Sequence, residues 1–94
     1  MKPKGFVEGS SEKHDVKFYG ISTCIWCKRT RQLLEEQDVT FDFVYVDLTS
    51  GDERKQVLEA VKAFNPKATF PTVVVDEEAV VGYKPDKLKE LLNR

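Results

Sequence analysis

Cysteine is almost absent from this chain. There are two among 94 residues, and with a single histidine they leave little for metal binding. A structural zinc site needs about four ligands, and the chain offers two cysteines and the lone His14 in its polar N-terminal segment. Nor do two cysteines build a disulfide framework, because Cys24 and Cys27 close only a tiny loop. Long apolar runs are also missing. The longest is Phe43-Val44-Tyr45-Val46, far short of the roughly 18 residues that a spanning helix needs. Residues Met1 to Asp15 contain no apolar core of a signal peptide. An excess of charge is lacking too. The net charge is −1, with both signs interspersed, which gives no reason to expect nucleic acid or an acidic membrane surface as a partner. The expected location is cytoplasmic, where thiols stay reduced unless they are catalytic.

What remains is one small domain with 40% hydrophobic and 33% charged residues. Residues 1–14 read as a flexible polar tail and residues 15–94 as the folded domain. Val16-Lys17-Phe18-Tyr19 alternates like a strand. A helix is expected from Cys24 or Ile25 to Gln37, with Cys27, Thr30, Leu33, Leu34 and Gln37 along one face. Phe41 to Val46 reads as an interior strand, its Phe41, Phe43 and Tyr45 assigned to the core. Asp47 reads as a loop or capping residue. Ser50 and Glu53 have the spacing of a capping box, and the helix behind them turns Val57, Leu58, Val61 and Phe64 inward before Asn65-Pro66. Thr72–Val75 and Ala79–Val81 form an antiparallel hairpin, and Pro85 opens a last helix with Leu88, Leu91 and Leu92 inward. The order is β-α-β-α-β-β-α, and right-handed crossovers place helices on both faces of a four-stranded mixed sheet.

The two cysteines then acquire a meaning. Thiol–disulfide exchange needs a thiolate, and an ordinary cysteine with a pKa of about 8.5 is only a few per cent ionised at neutral pH. Cys24 would sit where unpaired helix N–H groups favour an anion. Cys24 is therefore assigned as nucleophile and Cys27, deeper in the first turn, as resolving thiol. Ile25 and Trp26 lie between them, either packing at the helix rim or forming an apolar contact for a protein substrate. Gly82 has a backbone reason, either positive φ or close approach of a ligand. Tyr83 covers the pair or packs under the last helix, and Lys84 reads as solvated.

Three motifs in this order resemble the glutaredoxin family of the thioredoxin superfamily: Thr23-Cys24-Ile25-Trp26-Cys27-Lys28, Thr69-Phe70-Pro71-Thr72-Val73 and Val81-Gly82-Tyr83-Lys84-Pro85-Asp86. The resemblance spans about residues 15–93 and implies an α/β thioredoxin-like fold. It implies a cis peptide bond at Pro71, with Thr69 and the Phe70 backbone as substrate contacts. It likewise places Thr23, Ile25, Trp26, Gly82 and Tyr83 around a disulfide substrate. The expected activity is a dithiol thiol–disulfide oxidoreductase acting on protein or small-molecule disulfides, with no bound cofactor or metal and a monomeric carrier. Glutathione or another low-molecular-weight thiol is one expected reductant. The Gly-Tyr-Lys-Pro-Asp segment is similar to that of the redoxins that serve ribonucleotide reductase, which a flavoprotein disulfide reductase reduces. The loop Gly20–Thr23 and the positions after Gly82 lack the charges usual in glutathione-holding members. A [2Fe–2S] cluster shared between two chains through Cys24 is the alternative from another class.

Overall fold

A computed structural model describes residues 2–94. Five strands form one mixed sheet: β1 (Lys4–Val7), β2 (Val16–Gly20), β3 (Phe41–Tyr45), β4 (Thr72–Val75) and β5 (Glu78–Val81). Three helices accompany it: α1 (Ile25–Glu36), α2 (Gly51–Phe64) and α3 (Pro85–Leu92). The strand order is β1-β3-β2-β4-β5, with β2 and β3 parallel and every other pair antiparallel.

Strand alternation decides which helix packs where. Phe18, Phe41, Phe43, Tyr45, Val73 and Val75 share one core with Leu33 and Leu34 of α1 and with Leu88, Leu91 and Leu92 of α3. Their neighbours Tyr19 and Val74 turn to the opposite face and meet Val61 of α2. The three aromatic residues of β3 are therefore core, as expected. The parallel strands β2 and β3 end at Gly20 and Tyr45, so the loops that follow them share one edge of the sheet. That edge is where α/β sheets place their sites.

Four details differ from the sequence reading. The sheet has a fifth strand, β1, inside the segment assigned to a tail; Met1 lies outside the described residues. β1 runs antiparallel to β3, Thr40 and Asp38 bond Gly9 and Ser11, and Lys4 Nζ reaches Glu53 at 2.9 Å. Backbone bonds hold this segment, while Phe6 stays 60% exposed, so no apolar pattern announces it. The capping box does not form. Ser50 stands at the N-cap without a side-chain bond, and Glu53 pairs with Lys4 instead. Phe64 is exposed at the end of α2, leaving Val61 as that helix's fully buried residue. Finally, β3 stops at Tyr45, and Val46–Leu48 forms a 3-10 turn.

Candidate active site

Cys24 is the N-cap of α1, with extended backbone, and its sulfur accepts the N–H of Cys27 at 3.4 Å. A serine or aspartate usually fills this role through oxygen; here a thiol does. Cys24 is partly exposed, whereas Cys27 is fully buried. The Ile21 N–H donates to the Cys27 sulfur at 3.4 Å. Gly20 makes this packing possible, because a Cβ there would lie 2.7 Å from Phe18 Cζ and 3.3 Å from Cys27 Cβ.

The two thiols have opposite electrostatics. Burial opposes ionisation of Cys24, but bonds from the Cys27 thiol and from the N–H groups of Cys27 and Trp26 outweigh it and hold its pKa below the ordinary value. Burial pushes Cys27 up to about 12 against the opposing Ile21 N–H, and the charges of Cys24 and Asp47 add to the rise. The pair is thus one ionisable thiol above one neutral thiol, sharing a hydrogen bond.

Trp26 and Ile25 are 49% and 55% exposed beside the thiols, and Thr23 is exposed just before them. The Trp26 ring stacks on Tyr83 with centroids 5.6 Å apart, and the Arg29 guanidinium lies 5.1 Å over it. Trp26, Phe70, Pro71, Gly82 and Tyr83 line one groove of about 350 Å³. The Phe70–Pro71 bond is cis, and the Pro71 carbonyl accepts the Gly82 N–H at 2.8 Å. Gly82 has φ +84° with open space around its Cα, so backbone conformation rather than crowding calls for glycine. Thr69, just before Phe70 in the chain, is exposed. Lys84 is exposed as well, at the N-cap of α3. A larger groove of about 540 Å³ borders Ile21, Ser22 and α1, but its Arg31 is engaged by Tyr45 Oη at 2.9 Å, by Glu35 at 3.4 Å and by the Phe43 ring.

Sequence reasoning missed three residues that shape the site. Asn65, read only as a helix stop, is buried, and its amide Nδ2 donates to Thr69 O, Thr69 Oγ1 and Thr72 Oγ1, each at 3.1 Å. It thereby ties the loop before Pro71 to the start of β4. Gly20 is the close-approach glycine described above. Asp47 accepts the Ser22 N–H at 2.9 Å and also the Ser22 hydroxyl, bridging the loops after β2 and β3. Burial acts against its ionisation, but Ser22 and the nearby Arg54 hold its carboxyl below the usual range. A polar residue just past two adjacent parallel strands was the available signal for Asp47; nothing local marked Asn65.

Fold and site together define a thiol–disulfide redox protein of the thioredoxin-like class, with a Cys-x-x-Cys pair at a helix N-terminus. The glutaredoxin family model matches residues 16–80, and the chain belongs to that family. The structure is similar to that of a glutaredoxin from Methanosarcina mazei, with 39% identity, a TM-score of 0.91 and coverage of 99% of this chain and 90% of that one. It is also similar to methanoredoxin from Methanosarcina acetivorans, with 37% identity, a TM-score of 0.84 and coverage of 88% of each chain. Glutaredoxin 1 of Escherichia coli is 35% identical over 69 residues, which is 69% of this chain and 79% of that protein. No described helix is long and apolar enough to cross a membrane.

Proposed function

We propose that the protein is a dithiol electron carrier in which Cys24 attacks and Cys27 resolves. The observation that carries this reading is the asymmetry of the pair: a partly exposed, hydrogen-bonded Cys24 above a buried, neutral Cys27. The Cys24 thiolate attacks one sulfur of a substrate disulfide. The Cys24–substrate bond forms as the substrate's S–S bond breaks, and the departing thiolate takes up a proton. Cys27 then loses its proton to water and attacks the Cys24 sulfur. The Cys24–Cys27 disulfide forms, the second substrate thiol leaves, and two electrons have moved from carrier to substrate.

Thr23, Ile25, Trp26, Thr69, Phe70, Pro71, Gly82 and Tyr83 would receive the substrate. The apolar exposure of Ile25 and Trp26 favours a polypeptide disulfide. The Phe70 backbone offers an extended segment a strand-like partner. The chemistry requires no bound cofactor.

The same groove supports a reading of the reductant. The loop Gly20–Thr23 offers no cation, and the Gly82-Tyr83-Lys84-Pro85-Asp86 segment puts an aromatic ring, stacked on Trp26, just after the glycine. These features favour a flavoprotein disulfide reductase over glutathione as donor. The test supplies NADPH to the oxidised protein in two arms, thioredoxin reductase in one and glutathione with its reductase in the other. Turnover confined to the first arm supports the flavoprotein donor; turnover confined to the second replaces it with glutathione.

A further inference from the structure

Asp47 lies outside the groove and touches neither sulfur in the hydrogen-bond network, yet it is connected to both the loop and the charge balance of Cys27. Its carboxylate accepts two bonds from Ser22, and the adjoining residue, Ile21, donates its N–H to the Cys27 sulfur. The residue is held from its own side as well. Arg54 Nη2 donates to the Asp47 carbonyl at 3.1 Å and to the Thr49 carbonyl, which secures the turn between β3 and α2. The charges acting on Cys27 are the Cys24 thiolate from the cap of α1 and the Asp47 carboxylate from the turn after β3. Arg54 of α2 faces Asp47 and offsets part of its charge.

We propose that Asp47 is a positioning residue that acts as an electrostatic brake on resolution: held by Ser22 on the loop whose Ile21 N–H meets the Cys27 sulfur, its carboxylate sets a fixed negative charge against the attack of Cys27 and lengthens the life of the mixed disulfide at Cys24. The inference rests on Cys24 as attacker and Cys27 as resolver. Once Cys24 has joined the substrate, its own negative charge is gone. Asp47 is then the anion that remains against Cys27, so the brake acts on the second step and not on the first.

The expected size is modest, because Asp47 is exposed and its field is screened. Removal of a like charge raises the thiolate fraction of Cys27 by about three- to tenfold. Loss of nucleophilicity along the Brønsted slope takes back part of this, leaving an acceleration of about two- to threefold. Asp47→Asn keeps an oxygen for the Ser22 N–H while removing the charge, so it separates the brake from the tether.

The test is a single-turnover reaction of the reduced protein with 2-hydroxyethyl disulfide, whose leaving thiol is uncharged, quenched and mass-analysed so that the Cys24 adduct is seen to form and decay. Decay should quicken about two- to threefold in D47N with formation unchanged. It should return to the wild-type rate in D47E and should not quicken in Ser22→Ala, which keeps the charge. In the wild type, decay should quicken as ionic strength rises from about 0.05 to about 1 M, a readout that survives even if D47N fails to fold. A purely structural role predicts slower or unchanged decay in D47N and no salt effect, and either result overturns the brake. If no adduct forms at Cys24 even in Cys27→Ser, where resolution is blocked, the attacker assignment fails instead, and the brake with it.

Discussion

The backbone N–H of Cys27 donates to the sulfur of Cys24 at 3.4 Å, so the residue that resolves the mixed disulfide also stabilises the thiolate that begins it. This bond belongs to the helix cap and survives replacement of the Cys27 side chain. The bond from the Cys27 thiol does not. Cys24 should therefore react with iodoacetamide with a midpoint below the roughly 8.5 of a free cysteine. In Cys27→Ser a hydroxyl donor takes the thiol's place and the midpoint should stay low; in Cys27→Ala it should rise but remain below that of a free thiol. A free-cysteine midpoint in the wild type would remove the electrostatic account of the site.

The raised pKa of Cys27 has a stability consequence. A buried neutral thiol favours the folded state fully below the unfolded pKa of about 8.5 and loses that contribution as pH climbs toward the folded value of about 12. Cys24 has the opposite sign: its contribution is present above the unfolded pKa and is lost as pH falls through its lowered folded value. Thermal melts of the reduced protein should therefore show an alkaline loss that Cys27→Ser, which has nothing to ionise there, does not share. Parallel curves for the two proteins from neutral to alkaline pH would contradict this.

Asn65 should matter to stability far more than an exposed helix stop would. Asn65→Ala removes the amide donor from buried Thr72 Oγ1 and from Thr69 at the surface, while Thr72 Oγ1 keeps its own bond to the Thr69 carbonyl. Each abandoned buried polar group costs about 1–3 kcal/mol. With Thr72 Oγ1 as the buried group affected, the total expected from urea unfolding is about 1–3 kcal/mol. The KM for a protein disulfide should rise as well, because the Thr69–Pro71 loop loses its anchor. An effect below about 0.5 kcal/mol would show that water replaces the amide.

Gly20 and Gly82 should respond to alanine for different reasons. Gly20→Ala drives a Cβ into Phe18 and Cys27 and should cost about 1–3 kcal/mol, with slower resolution by Cys27. Gly82→Ala meets open space but a left-handed backbone, at about 1–2 kcal/mol. Gly82→Asn should recover part of that loss, while no residue with a Cβ should rescue position 20. Equal rescue at both positions, read from thermal melts, would reject the distinction.

These positions also mark how far the sequence can be read. Elements with periodic apolar faces were legible: Leu33 and Leu34 place α1, Leu88 and Leu91 place α3, and the valines of β4 fall in the hairpin expected of them. The thiol pair was legible because its spacing and its place before a helix carry the chemistry. Interactions made by backbone or across long separations were not. β1 lies along β3 through main-chain bonds, with glycine at position 5 against the Phe43 ring, and neither leaves a periodic apolar signal. Glu53 has the right spacing for a capping box yet pairs with Lys4, 49 positions away by their numbering. Ser22 and Asp47 meet only because two parallel strands end side by side.

The central claim, that Cys24 attacks and Cys27 resolves, is tested most directly by trapping. Reduced Cys27→Ser and Cys24→Ser variants are each mixed with a disulfide substrate and analysed by intact mass and peptide mapping. The account predicts a stable mixed disulfide on Cys24 in Cys27→Ser and no comparable adduct in Cys24→Ser, whose remaining thiol is buried and neutral. An adduct that forms as fast on Cys27 as on Cys24, or disulfide reduction that persists in Cys24→Ser, would contradict it.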